Sequence, residues 1–262
     1  MDKIQAENLT KPHAWGSERI FTHWDAAKKL YAAQEDSSIP FPAPRFISRW
    51  PSEICQLDCS YCYFSETNND KTHTYIDTDR FLPWLRELKS LGTESLEFSG
   101  GGEPTLHPRF HEIVSESFRM GYELGLITHA CGEMLHEMLS KSMRYVRCGL
   151  DAATTETHDL IKRNKRKNYW FPKAIENIRE LVRLRDEREA RGRLNFTVGI
   201  KIILNAINKH ELGGMIRLAK ELDTDYIQIK YEHSSDNGID EQERLDLQGV
   251  IDLEASWSKG GR

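Results

Sequence analysis

Asp79-Arg-Phe-Leu-Pro-Trp-Leu-Arg-Glu-Leu-Lys-Ser-Leu91 is followed three residues later by Ser95-Leu-Glu-Phe98 and then by Ser99-Gly-Gly-Gly-Glu-Pro104. In the first segment Phe81, Trp84, Leu85, Leu88 and Leu91 recur at steps of three and four, so it reads as a helix with one buried face, and Asp77 or Asp79 is suited to cap its start. The second segment is a short apolar strand and the third a glycine-rich turn. Working outward, the same rhythm repeats. Strands are predicted at 45–50, 95–98, 122–127, 145–150, 197–204 and 225–230, and helices at 79–91, 110–119, 133–140, 171–189 and 211–222. Short strands alternating with amphipathic helices make an α/β protein with a parallel sheet, and six units suggest a partial barrel or an open sheet.

The boundaries follow from composition. Residues 1–44 hold Trp15, Phe21, Trp24, Leu30 and Tyr31 before a Pro-rich stretch, and are expected to form a helical lead-in packed on the barrel edge. Residues 45–232 form the core, and the polar tail 233–262 is expected to hold one helix at 240–252 and a flexible end. The chain has 262 residues, 39% hydrophobic and 29% charged, which excludes a disordered chain or a disulfide-held mini-protein. A net charge of −5 gives no global field for nucleic acid or an anionic membrane. Lys162, Arg163, Lys165, Arg166, Lys167 and Lys173 are expected to lie on a solvated loop and helix start. No run reaches the roughly 20 apolar residues of a membrane span, and the opening residues lack a secretory core, so a cytoplasmic location and no membrane partner are expected.

Cysteine is used for chemistry. Five is an odd count, and Cys55-Gln-Leu-Asp-Cys59-Ser-Tyr-Cys62 crowds three of them directly after the first predicted strand, where ligand sites of α/β folds gather. Three thiolates on one loop can hold a four-iron cube and leave one iron open to a ligand. The alternative is a structural zinc without catalysis, with His73 as a fourth donor and the basic stretch near Lys165 touching nucleic acid. Cys131, on the turn after the third strand, is either a packing residue or a catalytic one at the barrel mouth, and Cys148 points toward the helices.

The Cys-x3-Cys-x2-Cys spacing with an aromatic before the last cysteine resembles the signature of the radical S-adenosylmethionine (radical SAM) superfamily. The resemblance spans roughly 45–232. It implies a partial (β/α)6 TIM-like barrel in which Cys55, Cys59 and Cys62 hold a [4Fe-4S] cluster and Tyr61 lies against the adenine of S-adenosyl-L-methionine. One-electron cleavage of that cofactor would then give a 5′-deoxyadenosyl radical that takes a substrate hydrogen. Gly100, Gly101, Gly102 and Glu103 are similar to the family's Gly-Gly-Glu-Pro element, which holds the cofactor's amino group. Thr128-His129-Ala130 stands where the family has Thr-Asn-Gly. Gly149-Leu150-Asp151 is similar to its Ser-Leu-Asp strand, with Gly149 where a ribose-facing serine commonly stands, and Lys162 or Arg163 stands in for the arginine that approaches the cofactor carboxylate. The resemblance also implies an electron donor such as flavodoxin or ferredoxin, and a peptide or small-molecule substrate. With no cysteine after Cys148, no auxiliary cluster can be built, so the chain is either a compact single-cluster enzyme or ends before an extension.

Overall fold

The computed structural model describes residues 24–39, 42–64, 74–163, 166–192, 196–232 and 239–255. Six strands, β1 (Phe46–Arg49), β2 (Ser95–Phe98), β3 (Glu123–Thr128), β4 (Met143–Gly149), β5 (Thr197–Leu204) and β6 (Tyr226–Tyr231), form one all-parallel sheet in chain order. Each crossover carries a helix: α2 (Thr78–Ser90), α3 (Phe110–Arg119), α4 (His136–Ser142), α5 (Thr155–Lys162) with α6 (Trp170–Ala190), and α7 (Leu212–Glu221). Around them stand α1 (Trp24–Glu35) and α8 (Glu241–Ala255). Every strand therefore ends at the same edge of the sheet, and the loops that leave that edge meet there.

Alternation sorts the side chains. Leu96 and Phe98, Leu124 and Leu126, Val146 and Cys148, and Val198, Ile200, Ile202 and Leu204 all turn to one face and are buried in a single apolar core under the helices. Cys148 thus packs toward the helices, as expected. Helix α2 is capped by Asp77, whose carboxylate accepts from the Asp79 amide at 3.0 Å. The register shift between Leu124 and Gly125 lets Met143 pair with Leu124, so β4 starts directly at the end of α4, earlier than its composition suggests.

The N-terminal flank differs from expectation, whereas the helix expected in the tail is present as α8. Trp15 and Phe21 lie outside the described residues. In α1, Leu30 and Tyr31 stand exposed and only Ala33 among the described side chains is buried, so they do not supply the expected packing. The tail helix α8 packs on α7, with Leu247, Val250 and Ile251 against the core and Lys209 paired with Glu243.

Candidate active site

The loop after β1 is held from two sides by backbone hydrogen bonds. On one side the amides of Gly102 and Glu103 donate to the carbonyls of Ser52 (3.1 Å) and Ile54 (2.8 Å). On the other, the amides of Asp58 and Ser60 donate to Lys162 O (3.1 Å) and Ile161 O (2.7 Å), which are carbonyls that the end of α5 leaves unpaired. Leu57 is buried between these ties. Cys55, Cys59 and Cys62 are free thiols in half-buried positions on this loop, and Cys55 and Cys59 pack against the core. The chain thus brings the three sulfur donors to the strand-end edge of the sheet.

Three free thiols on one loop are the donor set that an iron-sulfur cluster with one open iron takes. Burial pushes the Cys55 thiol up to about 12, with the charge of Glu103 adding to it. Burial also raises Cys59, while the ammonium of Lys162 pulls the other way. Such thiols wait protonated for iron, which deprotonates them on binding. The buried hydroxyl of Ser60, beside Cys59, has no hydrogen-bond partner. Among the described residues no three His, Cys, Asp or Glu side chains gather tightly enough for a single ion. A four-iron cube takes one thiolate per iron, so its sulfurs stand wider apart than those of a zinc tetrahedron. His73, the zinc alternative's fourth donor, lies outside the described residues.

The glycine turn is shaped by the loop it touches. A β-carbon on Gly102 would lie 2.5 Å from the carbonyl carbon of Glu53 and the oxygen of Ile54, so only glycine lets the turn meet the cysteine loop. Gly100 is excluded from carrying a side chain by the turn's own Gly102 O, while Gly101 has room beside Phe64 and Trp50. Glu103 is buried, and its Oε1 accepts from Thr105 N (3.2 Å), Thr105 Oγ1 (2.7 Å) and Thr128 Oγ1 (2.7 Å). Its Oε2 accepts from His129 N at 3.1 Å, with His129 Nε2 at 3.3 Å. The carboxylate therefore fastens the turn after β2 to the turn after β3, and only Oε2 has capacity left for another donor.

In the β3 turn, Ala130 has φ 57°, in the left-handed region where the family motif places glycine. The turn keeps its shape because Asn177 of α6 donates to Ala130 O (2.7 Å) and Gly132 O (2.8 Å). Sequence reasoning missed Asn177, since nothing in a helix interior marks it. Cys131 is buried here. Its Sγ lies 3.1 Å from His129 O and 4.0 Å from His158 Nε2, and burial raises its thiol pKa.

Beyond β4, three predicted residues converge. Asp151, fully buried, accepts from Tyr61 OH at 2.5 Å and from Lys162 Nζ at 2.5 Å on Oδ2, and from Ile203 N at 2.7 Å on Oδ1. Lys162 Nζ also lies 3.1 Å from Tyr61 OH and 5.5 Å from its ring centroid. The ion pair holds Asp151 below the usual carboxylate range against a burial penalty that would raise it. Lys162, expected in the solvated basic stretch, is instead 1% exposed and joins β4, α5 and the cysteine loop. Arg163 caps α5 in a left-handed conformation and is exposed. Lys165 lies outside the described residues, whereas Arg166 and Lys167 are exposed as expected. A β-carbon on Gly149 would meet only ordinary contacts with Thr128 and His129, so the family's serine would fit there.

The face of the sheet opposite the core is polar. Glu97 accepts from Ser48 Oγ (3.1 Å) and Tyr145 OH (2.5 Å), and Arg147 Nε donates to Tyr226 OH (3.2 Å). Gly125 and Gly199 lie under the rings of Tyr145 and Tyr226, where a β-carbon would collide. Sequence reasoning missed Glu97, Tyr145, Arg147 and Tyr226. Their signal was the two-residue period of β4, which puts Tyr145, Arg147 and Gly149 on one face with Asp151.

A family model described as the Radical SAM superfamily matches residues 51–219. The chain belongs to the Radical SAM superfamily. Its members are enzymes that use a [4Fe-4S] cluster and S-adenosylmethionine. One relative, the tungsten-containing aldehyde ferredoxin oxidoreductase cofactor-modifying protein of Pyrococcus furiosus, is 26% identical over 65% of this chain and 47% of its own length. Another, the PqqA peptide cyclase of Bradyrhizobium diazoefficiens, is 24% identical over 75% of this chain and 48% of its own length. The chain thus spans about half the length of these curated relatives. The structure of SuiB from Streptococcus suis bound to S-adenosylmethionine superposes with a TM-score of 0.64 at 14% identity, covering 88% of this chain and 50% of that one. That likeness confirms the radical SAM barrel fold. Among the described residues, no helix is long and apolar enough to cross a membrane.

Proposed function

We propose that this chain is a radical SAM enzyme in which Cys55, Cys59 and Cys62 hold the cluster, and that it abstracts a hydrogen from a peptide or small molecule seated against the polar face of the sheet. The observation that carries the reading is the loop itself, where three free thiols are fixed at the strand ends by ties to the glycine turn and to the end of α5. When bound, the cluster and S-adenosylmethionine supply a reductively generated 5′-deoxyadenosyl radical. The chain's own task is positioning and exclusion of water. Glu103 Oε2 is the acceptor left for the cofactor's ammonium. Tyr61, Asp151 and Lys162 brace the cysteine loop from beneath rather than offering Lys162 to a cofactor carboxylate, because Asp151 already holds that ammonium. An electron donor such as flavodoxin or ferredoxin and a cytoplasmic location belong to the same reading.

Anaerobic reconstitution tests it. About four irons and four sulfides per chain, and release of 5′-deoxyadenosine after chemical reduction, are the expected results. Cys59→Ala should lose both iron and nucleoside release. A colourless protein that binds zinc instead overturns the reading.

A further inference from the structure

The polar face holds more positive charge than the fold uses. Strand register sets Arg147 beside Gly199, Lys201 beside Gln228 and Lys230 beside Ile203, with Lys201 also paired to Gly149. Alternation turns all of them away from the apolar core, because Val198, Ile200 and Ile202 occupy the other face. Arg147 is 9% exposed, yet among the described residues its protein contacts are one hydrogen bond to Tyr226 OH and the faces of two tyrosine rings, at 5.3 and 5.9 Å. Among the described residues no carboxylate is in ion-pair reach of its guanidinium, and Glu97 acts on it only at longer range. Lys201 is half-buried, and its ammonium makes no hydrogen bond or ion pair among the described residues. The buried amide oxygen of its neighbour Gln228 has no partner either. The carboxylates nearby are committed, Glu97 to Ser48 and Tyr145, and Asp151 to Lys162 and Tyr61.

A buried guanidinium without a carboxylate is costly unless something anionic arrives to meet it. Burial first, and then the like charges of Lys230, Lys162 and Arg147, lower the pKa of Lys201 against the pull of Asp151. Lys201 pairs with Gly149, two residues before Asp151, which accepts from Tyr61 of the cysteine loop, so this charge lies toward the strand-end edge that carries that loop. We infer that Arg147 and Lys201, with Gln228 beside them, form the binding floor for a substrate that carries a carboxylate or phosphate. This deepens the proposed function and rests on it for the word substrate. Neutral sugars and apolar side chains are disfavoured, because neither supplies a charge to the two cations.

The test uses the reconstituted protein and three probes, glutarate, inorganic phosphate and neutral glutaramide, with binding followed by calorimetry. At least one anion should bind at least tenfold more tightly than glutaramide, and a preference for glutarate or for phosphate names the source of the charge. Arg147→Met and Lys201→Met should each weaken that anion at least tenfold while iron content stays at the wild-type level. Should Arg147→Met fail to fold, Lys201→Met carries the test alone, since that side chain holds nothing together. Anions that bind no better than glutaramide, or bind Lys201→Met as tightly as wild type, overturn the inference. Loss of iron from wild-type protein with anion binding intact would instead overturn the cluster reading and leave the anion floor standing.

Discussion

The two faces of the sheet divide the work of the protein. Toward the helices, Leu96, Phe98, Leu126, Val146 and Ile202 are fully buried and make contacts that any apolar neighbour of the right volume would make. On the other face the strands and the turn after β4 carry Glu97, Tyr145, Arg147, Asp151, Lys201 and Gln228, some mutually satisfied and some not. One face holds the fold together through apolar area, and the other carries charge that the fold does not require. The Asp151–Lys162 pair is the exception, a charged contact that structure depends on.

That exception supplies the largest expected effect. Lys162→Met strands a fully buried carboxylate, and urea unfolding should show a loss of about 3–5 kcal/mol. Adding Asp151→Asn to the same chain should recover much of it, because an amide costs less to bury than an unpaired charge. A single variant as stable as wild type would move Asp151 and Lys162 to the dispensable side of the comparison. Next comes Leu126→Ala on the helix face, with an expected cost of about 2–5 kcal/mol from lost transfer energy and the cavity left behind. A loss below about 1 kcal/mol would mean that this face tolerates voids that close packing forbids.

The same division explains what could be read from the sequence. Strands β2 and β5 were predicted to the residue, since their apolar alternation is bounded by Gly, Thr and Asn punctuation. The cysteine loop and glycine turn were legible because both functions live in local spacing. Lys162 was legible only as the residue standing where the family has its arginine, and its partners were not. Composition places it in a basic run, whereas only the chain's return past β4 sets Asp151 and Tyr61 against it, 11 and 101 residues away in sequence. Arg147 was hidden for the opposite reason. A cation on the inner face of a strand looks like one on a solvated face until the closing strands show that no carboxylate faces it.

Acid sharpens the comparison further. Burial lowers the His158 pKa to about 3, with the positive charge of Lys162 adding, while an unfolded histidine titrates near 6.5. The unfolded chain therefore binds a proton that the native chain refuses as pH falls below about 6.5, and stability should drop by up to about 1.4 kcal/mol per pH unit from this residue down to pH 3. His129 and His136, both lowered chiefly by burial, act in the same direction. Unfolding free energies at pH 7.5 and 5.0 should show the slope, and His158→Leu should flatten it. A slope unchanged in that variant would mean that His158 takes up its proton in the folded protein.

The smallest effect is the most telling. Lys201→Met removes a charge that the fold has partly desolvated without giving it a partner, so urea unfolding at pH 7.5 should change by less than about 1 kcal/mol. The sign also follows. With a folded pKa below its unfolded value, Lys201 opposes folding as pH falls through its titration, so at pH 7.5 methionine should leave stability equal or slightly higher. Lys162→Met, a change of the same chemistry one strand-to-helix step away, should go strongly the other way. If both substitutions proved equally damaging, the inner cations would be structural, and the polar face would hold the barrel together just as the apolar face does.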